Sequence, residues 1–180
     1  MDKPARRHGL HPLISRSYAD KDGIETAMRA MRGRVDGVVA MSPDLDAESL
    51  LNLPSTIPLV VLCSVPRGNG IDSLTIQNCR GAREMVSHLV AQGHSRIAII
   101  KGSARNYDAA ERLRGYRMAL RDAGITPEVS LEREGDFTEA GGYTATRELL
   151  SLQNLPTATF AANETFLQDA TVIGESANNA

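Results

Sequence analysis

The 180-residue chain is most informative at first for what it lacks. It has two cysteines, Cys63 and Cys79. That is too few for a disulfide framework, and their spacing is not that of a metal site, so reduced thiols and an intracellular setting are expected. No apolar run approaches the roughly 20 residues that span a bilayer, and no apolar stretch follows the charged start to make a secretory signal. Charge of one sign is also missing. Twenty Lys and Arg oppose 22 Asp and Glu, a formal net charge of −2, whereas a dedicated DNA-binding domain carries a basic excess on one face. The densest basic segment, Arg112, Arg114, Arg117 and Arg121, spreads over more than one face of a helix and reads as a solvated surface. No internal repeat or low-complexity stretch is present. With 42% hydrophobic and 23% charged residues, the chain has enough apolar material for an ordinary core and is not disordered. Its length suits one domain or two small lobes.

Catalytic signatures are equally scarce. Gly68-Asn69-Gly70 lacks the lysine and hydroxyl residue of a phosphate loop and the last glycine of a dinucleotide fingerprint, and is expected to be a turn. There is no Gly-x-Ser-x-Gly elbow. His8, His11, His88 and His94 are not paired at zinc-motif spacing, so no metal site is expected. His94 follows a helix-ending glycine and has no visible nucleophile or acid partner, so a local loop contact is its expected role. Cys63, ending an apolar strand, reads as a buried thiol. No catalytic residue and no cofactor are assigned.

What is present is alternation. Val35–Met41, Pro58–Cys63, Arg96–Ile100 and Ala158–Ala162 are short, continuous apolar windows, as expected of parallel strands covered on both faces. Weaker strand windows are Leu10–Ser15, Ser73–Gln77 and Val129–Arg133. Between them run helical stripes: Ile24, Ala27, Met28 and Met31; then Ala82, Met85, Val86, Leu89 and Val90. Leu113, Tyr116, Leu120 and Ala123 form the third, and Tyr143, Thr146, Leu149 and Leu150 the fourth. Asp20, Asn78 and Thr138 stand where side-chain oxygens cap helix starts. Gly33, Gly93 and Gly124 stand where left-handed residues end them. The pattern predicts an α/β fold of doubly wound parallel sheets.

In such sheets ligands sit outside the carboxyl ends of the strands. Three residues are candidates on that rule. Arg112 offers a fork of donors suited to hydroxyls, carboxylates or phosphates. Phe137, after Glu134-Gly135-Asp136, can stack on a ring, its plainer role being a hydrophobic plug. Asn163, just past the last strong strand, can donate and accept, its plainer role being a helix cap.

Four segments in order carry a family resemblance: Ala91-Gln92-Gly93-His94-Ser95-Arg96-Ile97-Ala98-Ile99-Ile100-Lys101-Gly102, Arg112-Leu113-Arg114-Gly115-Tyr116, Glu134-Gly135-Asp136-Phe137-Thr138, and Pro156 to Asn163. With Val35-Asp36-Gly37-Val38-Val39 upstream, they resemble lactose-repressor type (LacI/GalR) transcription regulators over roughly residues 5–163. The resemblance implies two doubly wound lobes like those of periplasmic sugar-binding proteins, closing on a small effector. It implies that Arg112 binds ligand oxygens, Phe137 stacks on the ring and Asn163 hydrogen-bonds it. Implied partners are an effector (a sugar, sugar phosphate or purine), a second copy in a homodimer, and DNA only through a helix-turn-helix that this chain lacks. No membrane partner is implied, and the setting is cytoplasmic. Cys63 and Gln77 depart from the family by standing where aspartate is usual, and Glu164 does so after Asn163.

Both lobes are expected to be incomplete. Residues 1–94 would be the N-terminal lobe without its first strand, 95–163 part of the C-terminal lobe, and 164–180 a divergent tail. Pro4 to Gly9 resembles the tail of the family's first helix. The leading expectation is the effector-sensing portion of such a regulator, not an enzyme. The alternatives are a free-standing periplasmic-type sugar-binding module and a truncated partner forming mixed dimers with a full-length regulator.

Overall fold

The computed structural model describes residues 2–15, 26, 27, 29–41, 57–64 and 71–166. The Asp20 cap, Ile24 and Met28 of the first stripe, the loop 66–70 and residues 167–180 lie outside them. The chain divides into two compact units, Met1–Thr75 and one beginning at Ile76.

The first unit opens with helix α1 (Asp2–Arg7), which agrees with the helix tail expected there. No strand forms over 10–15. Leu10, Leu13 and Ile14 are exposed instead, so that weak window is corrected: side chains this exposed gain too little burial to offset the cost of ordering a strand. Ala27 and Met31 are helical and half-buried. Three parallel strands follow, β1 (Val38–Met41), β2 (Leu59–Leu62) and β3 (Asp72–Leu74), in that order across the sheet. Val38 pairs with Leu59, and Val60 with Asp72. Val61 in the middle strand is fully buried. β1 alternates instead: Val38 and Ala40 are half-buried while Val39 and Met41 are exposed, so burial of both faces does not hold for this strand. Cys63 is half-buried, not buried as expected, and left-handed at φ 61°.

The second unit is a three-stranded parallel sheet in the order β5-β4-β6, with β4 (Ile97–Lys101) central, β5 (Glu132–Glu134) on one side and β6 (Ala158–Ala161) on the other. Its helices are α2 (Asn78–Ala91), α3 (Tyr107–Asp122) and α4 (Glu139–Leu150). Successive strand residues point to opposite faces, and β4 shows where the core lies. Ile97 and Ile99 pack with Val86 of α2 and with Tyr116 and Leu120 of α3. Ala98 and Ile100 pack with Leu131 and with Ala145 and Leu149 of α4. Helices therefore cover both faces, which is why the Ile97–Ile100 run is continuously apolar and fully buried.

Local signals set the helix ends. Asn106 accepts from the Ala109 N–H and Thr138 from the Gly141 N–H, each satisfying a first-turn donor. Gly93 and Gly124 are left-handed. The bonds His94 N–H to Leu89 O and Ile125 N–H to Leu120 O complete the paired-carbonyl ending that such glycines permit. Two details differ from expectation. Val129–Leu131 is a 3-10 turn leading into β5, not strand. The buried face of α4 is Gly142, Ala145 and Leu149, whereas Tyr143 and Leu150 are exposed.

The expected boundary at 94/95 also differs, since α2 packs in the second unit. A Cβ on Gly115 of α3 would overlap the Cys79 carbonyl oxygen and lie 2.9 Å from Ala82 Cβ. The two helices thus meet backbone to backbone, and α2 cannot be assigned to the sheet that precedes it.

Candidate functional site

Arg112 sits on α3 one turn before the buried Tyr116. From there its guanidinium reaches inward. Nε donates to Asn78 Oδ1 at 2.7 Å and Nη1 donates to the Ala162 carbonyl at 2.6 Å. One side chain thereby ties the first residue of α2 to the residue just past β6. Asn78 is not the helix cap expected of it. Gln77 is the N-cap, it makes no side-chain cap bond, and Asn78 is already helical and buried. The Asn78 amide is spent on Arg112 instead, and its Nδ2 has no partner.

Beside this bridge lies a pocket of about 370 Å³. Arg112, Asn78 and Gln77 form its polar wall, and Ile76, Met85 and Phe160 are prominent in its apolar wall. The backbone of Ala162 closes the carboxyl end of β6. Among the described residues, no acidic side chain lines it.

Phe137 and Asn163 take other positions at the same end of the sheet. Asp136 and Phe137 are both left-handed, at φ 49° and 61°. That turn lays the Phe137 ring over Gly102, where any Cβ would collide with it. The ring stacks on Phe166 with centroids 5.8 Å apart and planes at 26°. Phe166 is itself fully buried with Ile100 and Leu131. Asn163 Oδ1 accepts from the Thr165 N–H at 2.9 Å and so caps the 3-10 turn Glu164–Phe166. Of the three sequence-derived candidates, only Arg112 lines the pocket. Phe137 plugs the core and Asn163 caps a turn, the plainer roles weighed for them. Asn78, Met85 and Phe160 were missed as pocket residues. Met85 and Phe160 look like ordinary core positions in the pattern, and the only signal at Asn78 was its place at a helix start.

Two other arginines of α3 are paired. Arg114 meets Glu111, and Arg117 meets Glu132 through two bonds of 2.7 and 2.6 Å. The hydrogen bond to Glu132 holds the Arg117 pKa above its usual value. Tyr116 donates to the Ile97 carbonyl at 2.7 Å, and burial keeps its phenol protonated well above the ordinary range. His94 Nδ1 lies 3.0 Å from Thr157 Oγ1, the expected loop contact. Among the described residues, no cluster of three or more His, Cys, Asp or Glu side chains is arranged to hold a metal, and no helix is long and apolar enough to cross a membrane.

Comparison with known proteins agrees with this architecture. A family profile described as "Periplasmic binding proteins and sugar binding domain of LacI family" matches residues 1–178. The match runs past residue 163, through most of the tail expected to diverge. Catabolite control protein A of Priestia megaterium is 31% identical over 155 residues, covering 84% of this chain and 47% of that protein. The ribose operon repressor of Escherichia coli K12 is 32% identical over 136 residues, covering 74% and 41%. The chain thus spans about half the length of the curated relatives it matches. Among solved structures, a LacI family transcriptional regulator from Mycobacterium smegmatis superimposes with a TM-score of 0.82 at 27% identity, over 96% of this chain and 66% of that one. The lac repressor dimer bound to operator and the anti-inducer ONPF superimposes with a TM-score of 0.81 at 27% identity, over 96% and 61%.

Proposed function

The chain belongs to the family of periplasmic binding proteins and LacI-family sugar-binding domains, and from that premise we propose that it is the effector-sensing portion of a cytoplasmic transcription regulator. The observation that carries the reading is the placement of Arg112. Its guanidinium stands at the carboxyl end of a doubly covered parallel sheet, against a pocket, where open α/β sheets hold their ligands. The effector is a sugar, sugar phosphate or purine, with Arg112 receiving its oxygens. Phe137 and Asn163 contribute by leaving their present partners, Phe166 and the Thr165 N–H. A second copy of the chain is the expected partner in a homodimer, and operator DNA is engaged through a helix-turn-helix outside the described residues. No bond is made or broken in this function. The effector acts through its differential affinity for two arrangements of the protein, and the coupling to DNA is reciprocal.

A thermal melt of the whole chain with a panel of sugars, sugar phosphates and purines tests the reading. A ligand that binds only the native state stabilises it by RT ln(1 + [L]/Kd), about 2.7 kcal/mol at a hundredfold excess over Kd. The expected result is one chemically specific rise in the midpoint that Arg112→Ala abolishes. A rise that survives Arg112→Ala, or none from any member of the panel, sinks it.

A further inference from the structure

At the start of α2 the Asn78 N–H donates to the Ile76 carbonyl, but Gln77 makes no side-chain cap and no acid occupies the first turn. The partial positive charge of a 14-residue helix therefore meets no counter-charge of its own. An independent observation lies beside it. Asn78 is 7% exposed, its Oδ1 is taken by Arg112, and its Nδ2 has no acceptor. Arg112 commits Nε and Nη1 to the protein, and Nη2 donates to no other described residue. Two of the polar groups left over at this pocket, Asn78 Nδ2 and Arg112 Nη2, are donors, and the Gln77 amide offers both a donor and an acceptor. The remaining wall, with Ile76, Ala82, Met85 and Phe160, is apolar.

We propose that this pocket binds the carboxylate of a small organic acid, its two oxygens received by Asn78 Nδ2 and Arg112 Nη2 at the start of α2, and its apolar body lying on Met85 and Phe160. Two donors on neighbouring side chains match the two oxygens of a carboxylate, and a charged acceptor draws the stronger bonds. The apolar wall selects an organic acid over a bare inorganic anion. A cavity of about 370 Å³ is of the size that holds a small ligand. The inference rests on the effector-sensing reading only through Arg112, which both share, and it names a ligand class, an organic acid, that lies outside the sugars, sugar phosphates and purines of that reading.

The test uses phenylacetate, its neutral isostere phenylacetamide, and inorganic phosphate, each titrated against the whole chain at fixed ionic strength. Calorimetry and the thermal midpoint are the readouts. Phenylacetate is expected to bind and raise the midpoint, and the other two to do neither. Asn78→Asp keeps an oxygen for Arg112 Nε and puts negative charge where the ligand carboxylate sits. It should melt no lower than the parent protein, yet weaken phenylacetate by about tenfold or more. Equal binding of phenylacetamide or phosphate overturns the proposal. So does binding unaffected by Asn78→Asp, or no response to phenylacetate at tens of millimolar. Failure here remains separable from failure of the broader reading. A sugar whose shift is lost in Arg112→Ala but kept in Asn78→Asp would uphold effector sensing and reject the acid. An acid response with no response to any sugar, sugar phosphate or purine would do the reverse.

Discussion

Gly115 is where single-atom packing decides the second unit. Its missing Cβ lets α3 lie directly on α2, against the Cys79 carbonyl and the Ala82 side chain. Alanine would raise helix propensity here by up to about 1 kcal/mol. It would also force apart two backbones held on one sheet face, and overpacking of this kind costs about 1–3 kcal/mol. The neighbour is a main-chain oxygen that cannot rotate away, so packing should win. Gly115→Ala is expected to lower the urea midpoint with an unchanged m-value. A stabilised variant would refute the close approach. Gly102 makes the same kind of contact with a movable partner, the Phe137 ring. Gly102→Ala should therefore cost less in a Phe137→Ala background than alone, a coupling that a double-mutant cycle reads directly. At this scale the sequence was only partly legible. Arg112 was recognisable as a candidate because its fork of donors suits ligand oxygens and ligands sit beyond the carboxyl ends of such strands. Nothing local marks Asn78 as its partner, because that contact joins residues 34 apart. Nor does anything local show that Phe137 would bury itself on Phe166.

Elements were more legible than residues, because burial on a sheet imposes a period. The windows that became β1, β2, β4 and β6 are apolar runs, and Gly93, Gly124 and Thr138 mark helix ends by mechanisms that act within a few residues. α4 shows how the period misleads. Two of its three buried positions, Gly142 and Ala145, carry little apolar weight, and Gly142 is small because the Phe166 backbone lies close against it. The larger residues one position along looked like the stripe. The entry to β4 shows charge working at the same scale. Arg96 Nη1 donates to both Glu128 oxygens at 2.6 and 2.7 Å, and its Nε donates to the Asn154 carbonyl. It thereby clamps the loops that lead into β5 and β6. The bond to Arg96 holds the Glu128 carboxyl below its ordinary value of 4.5. A carboxylate lowered in the folded state adds stability that is complete above the unfolded value and is lost as pH falls through the folded one. The difference in melting midpoint between the parent protein and Glu128→Gln should therefore be constant above about pH 5 and shrink as pH falls below 4.5. A difference that grows on acidification would contradict the clamp. Being exposed and open to screening, the pair should also weaken in high salt.

At the scale of the whole molecule, alternation of strand and helix predicted parallel sheets but could not say which sheet each helix covers. In sequence α2 follows β3 and precedes β4, and its apolar stripe would suit either. The choice is made by contacts of long sequence separation: Val86 against Ile97 and Ile99, Gly115 against Cys79, and Arg112 bridging Asn78 to Ala162. This is why the boundary falls at Thr75/Ile76 and not where the helix ends. Amide hydrogen exchange separates the two assignments, because local stability follows cooperative packing units, not chain order. β4 is paired on both sides and buried on both faces, so its amides should exchange slowest among the described residues. β1 is paired to β2 alone among the described residues and exposes Val39 and Met41, so its amides should exchange much faster. The decisive segment is α2. If it belongs with the second unit, the amides of Val86 to Ala91 should share the slow exchange of β4, and Arg112→Ala should speed exchange at the first turns of α2 without touching β1. If the helix belongs instead with the preceding sheet, its protection should follow β1 under mild denaturant, and Arg112→Ala should leave it unchanged.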